Sequence, residues 1–76
     1  MSYQMKFTDT IMSVERLKNS RLGNPTWLVH FENHEPMRTM ADTAWSYEAG
    51  NPEWKNAQVA VIATNDGHIR YCTKTS

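Results

Sequence analysis

The chain has 76 residues, a single cysteine, and eight acidic side chains balanced by eight basic ones. This length corresponds to one small domain over residues 1–76, which buries only about 60% of its unfolded surface. One cysteine excludes a disulfide within the chain. The zero net charge excludes a global electric field that would attract phosphates or membranes.

The N-terminus and the longest apolar run predict the compartment. Residues 1–7 contain no apolar stretch of the kind that a secretory signal needs. The longest apolar run, Val59 to Ala63, is far shorter than the roughly 20 residues of a membrane-spanning helix. We therefore expect a cytoplasmic protein without a membrane partner, and a lone cysteine is typical of such a reducing compartment.

The first segment, residues 3–18, fits a strand better than a helix. A strand places Met12 and Val14 on one face, whereas Leu17 is out of phase and requires a bulge. The alternative helix has an apolar stripe but contains several indifferent helix formers between residues 8 and 13. For residues 1–9, a flexible or loosely packed N-terminal arm is a further alternative.

The segment Thr26–Glu32 is the clearest strand of the sequence. Its β-branched and aromatic residues recur with period two, which places Trp27, Val29 and Phe31 on one face and Leu28, His30 and Glu32 on the other. Turn signals precede and follow this strand, at Gly23-Asn24-Pro25 and Asn33-His34-Glu35-Pro36. A short third strand begins at Met37.

The segment Ala41–Ala49 predicts one short helix after the third strand. Asp42 is a good N-cap, and Gly50 suits the left-handed position that follows a helix. Trp45 would then turn inward, one helical turn from an alanine on either side. A turn at Gly50-Asn51-Pro52 separates this helix from the fourth strand.

The C-terminal part of the chain predicts a hairpin. Val59, Val61 and Ala63 share one face of its first strand. On the second strand, one face carries Ile69, Tyr71 and Thr73, and the other carries His68, Arg70 and Cys72. Asn65-Asp66-Gly67 joins the two strands, and Asp-Gly between apolar runs is a strong hairpin signal.

The order of these elements predicts a mostly β fold. It is a small five-stranded half-open barrel, OB-like or SH3-like, with one short helix between strands 3 and 4. A sheet that curls on itself protects edges that would otherwise pair with other chains. Element order does not distinguish the OB-like from the SH3-like topology, and both stay open at this point.

Several turn and core positions form a recognisable pattern. A Gly23-Asn24-Pro25 turn precedes the strand Trp27-x-Val29-x-Phe31-Glu32, and an Arg-Thr pair follows. Further matching positions are Val14–Ser20, Asp42–Tyr47, Asn51, Trp54 and the closing Val-x-Val hairpin. Over Val14–Tyr71 the chain resembles a group of small uncharacterised proteins of actinobacterial phages and their hosts. It departs from them at Asn33-His34, where an acidic residue and glycine are usual. The resemblance implies a phage or host accessory protein and brings no known activity with it.

No catalytic or metal-binding motif is present in the sequence. It has no Gly-rich phosphate loop, no nucleophile elbow and no paired cysteines. Cys72 has no acid in register that would complete a nucleophilic pair with His68. The spacing of the metal-binding side chain types matches no zinc motif; these residues are His30, His34, His68 and Cys72. We therefore expect a protein that is not an enzyme and that has no metal or other cofactor.

An aromatic cluster predicts a protein-binding surface. Trp45, Tyr47 and Trp54 lie close together in the sequence, near Met37. A domain of this size is not expected to enclose all of its tryptophans and all five methionines. Exposed aromatic and methionine side chains are enriched at interfaces. We therefore predict a small binding module that engages a host protein through these four residues. The competing interpretation is that Trp45 and Trp54 close the two ends of the barrel.

Two alternatives to a protein-binding module stay open. In the first, basic side chains on the polar strand faces form a stripe that binds single-stranded nucleic acid, as OB-like modules do. These side chains are Arg16, Lys18, Arg38 and Arg70. The zero net charge counts against this alternative. The second is a homodimer formed through an edge strand, which would leave no external partner site.

Overall fold

The structure, a computed structural model, describes residues 4–75. Its five strands form one closed barrel in the order β1-β2-β3-β5-β4. They are β1 (Gln4–Arg16), β2 (Trp27–Phe31), β3 (Met37–Thr39), β4 (Gln58–Thr64) and β5 (His68–Lys74). The predicted mostly β, five-stranded barrel is confirmed, and its ring is closed where the sequence predicted a half-open one.

A parallel pair of strands closes the ring. Arg38 pairs with His68 and Thr39 with Ile69, so that β3 runs parallel to β5, while the other neighbouring strands are antiparallel. This is the OB-like order of the two topologies that the sequence left open. Each described strand has two hydrogen-bonded neighbours. The described ring therefore offers no unpaired edge strand through which two copies could form a dimer.

The length of β1 allows it to belong to both sides of the barrel. Residues 4–10 pair with β4, and residues 11–16 pair with β2. A bulge between Ile11 and Ser13 redirects the strand. The predicted strand is confirmed, but the bulge predicted to accommodate Leu17 is wrong, because the strand ends at Arg16 and its bulge lies earlier. This bulge exposes Met12 and half-buries Val14, so their predicted shared face is also wrong.

The N-terminal arm predicted as an alternative for residues 1–9 is wrong over residues 4–9. These residues lie in β1, where β4 supplies a complete hydrogen-bonding partner and Phe7 packs against the core. Residues 1–3 lie outside the described part of the chain.

Two 3₁₀ turns replace the single short helix predicted over residues 41–49. They cover Ala44–Tyr47 and Pro52–Trp54. Proline disfavours helical geometry in the residue before it and suits the first position of a new turn, so Pro52 divides the segment. Asp42 is not the N-cap, because its backbone is left-handed with φ of 63° and its carboxylate accepts hydrogen bonds from the loop between β1 and β2. No helix in residues 4–75 is long and apolar enough to cross a bilayer.

The inward-facing side chains of the ring and of the two 3₁₀ turns form one core. It consists of Ile11, Val29, Phe31, Met37, Trp45, Ala49, Trp54, Val59, Val61, Ala63, Ile69 and Cys72. The hairpin between β4 and β5 is confirmed, but a register shift lies between Ile62 and Ala63. Because of this shift, Ile69 and Cys72 face inward while Tyr71 is exposed. The predicted faces of β5 are therefore wrong beyond Ile69.

Gly50 is needed for a close approach of the Trp27 ring. A Cβ atom at Gly50 would lie 2.5 Å from Cη2 of that ring, which is itself held by an indole N–H donated to the Ser46 carbonyl oxygen at 2.8 Å. Gly50 is not among the left-handed residues, so the predicted helix-terminating role is wrong.

We expect the substitution Gly50→Ala to lower the free energy of unfolding by about 1–3 kcal/mol, because the added methyl group overpacks the contact with Trp27. Urea denaturation would measure this change. An alanine variant with the wild-type denaturation midpoint would show that the ring is free to move away.

Candidate nucleic-acid interface

Three of the four residues predicted to contact a protein are buried. Trp45, Trp54 and Met37 are only 3%, 6% and 9% exposed, respectively. The two tryptophans pack edge to face, with ring centroids 5.4 Å apart, so they do not close separate ends of the barrel. The predicted contact surface is therefore wrong for these residues, because the connection between β3 and β4 folds its aromatic side chains into the core. Tyr47 alone is exposed, at 64%.

The four predicted nucleic-acid-binding residues do not form one stripe. The Arg16 guanidinium donates to the carbonyl oxygens of Leu17 and Thr26, at 2.6 and 3.3 Å, and lies 5.4 Å from the Trp27 ring centre. These contacts hold the base of the β1–β2 loop, beside the exposed Lys18. Arg38 and Arg70 are exposed on the neighbouring strands β3 and β5.

A groove of about 340 Å³ lies between the β1–β2 loop and the seam of β3 with β5; we call it the arginine groove. Arg21 comes from the loop, and Arg38 and His68 come from the two sides of the seam. Polar side chains of Asn19, Ser20 and Thr26 complete the wall formed by the loop. Two arginines from distant parts of the sequence thus line one groove.

The arginines of this surface have no acidic partners among residues 4–75. No described carboxylate oxygen lies within 4.0 Å of Arg21, Arg38 or Arg70. The Asp66 carboxylate instead lies 3.3 Å from Nδ1 of His68. Unpaired guanidinium groups with several N–H donors bind phosphate oxygens well. The electrostatics of the groove therefore favour an anionic ligand.

The loop wall of the arginine groove is held in place by Asp42. Its Oδ1 atom accepts hydrogen bonds from the Ser20 hydroxyl at 2.5 Å and the Asn24 amide at 2.6 Å. The bond from Ser20, and to a lesser extent that from Asn24, lowers the pKa of the Asp42 carboxyl below its ordinary value. The Tyr47 hydroxyl donates to the Asn24 side chain as well. The loop is thus tied to the first 3₁₀ turn, which prepares the groove before a ligand arrives.

A second groove, of about 460 Å³, lies at one end of the barrel; we call it the barrel-end groove. Its apolar walls are Met5, Phe7, Pro36 and Met37, and its rim carries His34, Glu35, Asp66 and Gly67. The rings of Phe7 and His34 are stacked, with centroids 4.1 Å apart. An aromatic surface with a fixed orientation therefore lines this groove.

The buried carboxylate of Asp9 organises the turn beside the barrel-end groove. It accepts bonds from the backbone N–H groups of Thr10 at 2.6 Å and Asn33 at 3.0 Å, from the Asn33 amide at 3.2 Å, and from Nδ1 of His34 at 2.5 Å. Burial by itself raises the pKa of Asp9, but these hydrogen bonds outweigh it and the pKa is lowered. The Asn33-His34 pair of this turn is thereby held by its bonds to Asp9.

The side chains considered as metal ligands lie apart from one another. His30 faces Glu15, His34 faces Asp9 and His68 faces Asp66, at 3.4, 2.5 and 3.3 Å. Within the described range, no group of three or more histidine, cysteine or acidic side chains is arranged to hold a metal ion. Burial raises the pKa of the Cys72 thiol to about 12, so this thiol is protonated at neutral pH and is a poor nucleophile.

The sequence reasoning missed Arg21, Phe7 and Asp9. Arg21 lies in a loop, where no periodicity indicates which way a side chain points. Asp9 did carry a signal, because an acid at an inward-facing strand position needs hydrogen-bond donors from elsewhere. Apart from the adjacent backbone N–H of Thr10, the donors come from Asn33 and His34, more than twenty residues away along the chain.

Comparisons of the chain with protein-family models, with curated proteins and with solved structures gave no significant match.

Proposed function

We propose that this chain is a non-enzymatic binding module of the cytoplasm that holds single-stranded nucleic acid in the arginine groove. The observation that supports this proposal most is the pair Arg21 and Arg38, which line the same groove without a described acidic partner. OB-like barrels bind oligonucleotides on the face of strands 2 and 3 and between the β1–β2 and β4–β5 loops. The arginine groove shares the β1–β2 loop and the third strand with that region.

The dimensions and charge of the groove favour a single strand over a duplex. A space of about 340 Å³ between a loop and a strand seam suits one backbone, whereas a duplex needs a broad basic surface. The side chains of Asn19, Ser20 and Thr26 supply polar contacts of the kind that phosphates and sugars receive. Two arginines correspond to few neutralised phosphates, so we expect moderate affinity and a shallow dependence on salt.

The substitution Arg38→Ala tests this proposal. We expect it to weaken binding of a labelled single-stranded oligonucleotide roughly tenfold and to reduce the slope of log K against log salt by about 0.7, which corresponds to one lost phosphate contact. Fluorescence anisotropy titrations at several salt concentrations would measure both values.

The matched control for Arg38→Ala is Lys6→Ala. It removes the same charge from an exposed position on β1, which pairs there with β4 and not with the seam. Wild-type affinity and salt slope in both Arg38→Ala and Arg21→Ala would contradict the proposal. An equal loss in Lys6→Ala would show attraction by overall charge and not by a groove.

A host protein is the second candidate partner. Leu22 is 78% exposed and Tyr47 is 64% exposed, and Asn24, which is bonded to Tyr47, connects their two segments. Exposed aromatic and apolar side chains are typical of interface centres, and the resemblance to phage proteins suggests a host target. The anisotropy titration separates the candidates, because a module that binds only protein has no oligonucleotide affinity for Arg38→Ala to reduce.

A further inference from the structure

We infer that the barrel-end groove holds one unpaired nucleobase stacked on His34, and that it prefers a base with an exocyclic amino group. This inference rests on the proposed binding of a single strand in the arginine groove. It assigns to the second groove a ligand of stated chemistry, namely the base of a nucleotide whose phosphate lies at Arg38.

The His34 ring is prepared for stacking. Phe7 covers it at a centroid distance of 4.1 Å and an interplanar angle of 27°, and Nδ1 donates to the buried Asp9 carboxylate. The His34 side chain is nevertheless 42% exposed. An aromatic side chain that is fixed in orientation and still accessible is a stacking platform for a base. Little ordering is needed when the base arrives, which favours binding.

Neighbouring residues on each side of the β3–β5 seam line different grooves. Met37 lines the barrel-end groove and the next residue, Arg38, lines the arginine groove. On the other side of the seam, Gly67 lines the barrel-end groove and the next residue, His68, lines the arginine groove. Consecutive Cα atoms are about 3.8 Å apart, so one nucleotide can place its phosphate at Arg38 and its base in the neighbouring groove.

The acidic rim of the barrel-end groove selects among bases. Glu35 and Asp66 both line it. A hydrogen bond from Thr64, and a weaker one from His68, lower the pKa of Asp66. Its carboxylate is therefore ionised at neutral pH. Carboxylates repel phosphates and accept hydrogen bonds from amino groups such as N4 of cytosine. Thymine offers no amino group at that position, so it is the disfavoured pyrimidine.

Titrations with oligo-dC and oligo-dT of equal length test this preference. We expect wild-type protein to bind oligo-dC roughly five- to tenfold more tightly, and Glu35→Gln together with Asp66→Asn to remove most of the difference. Single-stranded oligo-dT that carries one 2-aminopurine should lose fluorescence on binding, because that base stacks in the groove. These wild-type measurements do not depend on whether a variant folds.

The variant His34→Gln tests the stacking platform. Glutamine keeps an N–H donor for Asp9 and removes the ring, so we expect affinity for both oligonucleotides to fall about fivefold or more. The fluorescence of 2-aminopurine should then remain unquenched, because the base has lost the ring on which it stacks. Thermal unfolding establishes that the variant is folded.

Two outcomes separate this inference from the proposed function. Equal affinity for the two oligonucleotides, with unquenched 2-aminopurine but a clear loss in Arg38→Ala, would overturn the base subsite and leave the arginine groove standing. Absence of binding to any oligonucleotide by the wild-type protein would overturn both proposals.

Discussion

Replacing Trp45 with alanine is expected to lower the free energy of unfolding by about 3–5 kcal/mol, which is a large part of the stability of a domain this small. Trp45 is buried in the core and packs edge to face on Trp54. Such an aromatic pair adds about 0.5–1.5 kcal/mol to the effect of burial. Urea denaturation followed by circular dichroism would measure the loss.

Two further variants make the Trp45 prediction specific. Trp45→Phe should be milder than alanine, because phenylalanine keeps most of the apolar contacts and the Trp45 indole N–H has no hydrogen-bond acceptor among the described residues. Tyr47→Ala should change stability by less than about 1 kcal/mol, since that ring is mostly exposed. Equal effects of Trp45→Ala and Tyr47→Ala would contradict the burial of Trp45 and restore it as a surface contact.

The sequence predicted most of the barrel because its strands carry their own pattern. Val29 and Phe31 lie on either side of the polar His30, and β-branched Val59 and Val61 recur at every second position before Ala63, so period two identified β2 and β4. Asp66-Gly67 marked the hairpin, and the structure gives Gly67 the left-handed backbone that such a turn requires, with φ of 87°. These features depend only on residues that are neighbours in the sequence, so they could be predicted from it.

The connection between β3 and β4 was predicted poorly because its residues serve distant contacts. Asp42 has the chemistry of a helix cap but binds Ser20 and Asn24 in another loop. Gly50 has the chemistry of a helix terminator but makes room for the Trp27 ring. The same residue types satisfy local and long-range roles, so local rules could not choose between them.

The candidate site was predicted in part. Arg38 was identified as an outward-facing residue of a strand, whereas its groove depends on Arg21 in a loop and on the parallel seam with His68. Arg16 was identified as a basic residue on the polar face of the first strand, but its contacts with Trp27 and two carbonyl oxygens give it a structural role. Charge located the basic residues, but only the topology shows which of them share a surface.

The second large effect is expected in acid, and it depends on Asp9. The pKa of this carboxylate in the folded chain is below its ordinary value of 3.8. Its contribution to stability is therefore complete above the unfolded pKa and is lost as the pH falls through the folded pKa. We expect the urea midpoint of the wild-type protein to fall steeply below about pH 4.

The substitution Asp9→Asn isolates this contribution. It should lower stability by about 1–3 kcal/mol at neutral pH, because an amide cannot accept all of the hydrogen bonds that Asn33, His34 and Thr10 donate. The variant should also lose less stability in acid than the wild type. Asp42 and Asp66 also have lowered pKa values. Both carboxylates are present in the wild type and in Asp9→Asn, so the difference between the two curves of stability against pH reports Asp9. Parallel curves across the acid range would show that Asp9 does not stabilise the fold through its ionised form, and the orientation of His34 would then need another cause.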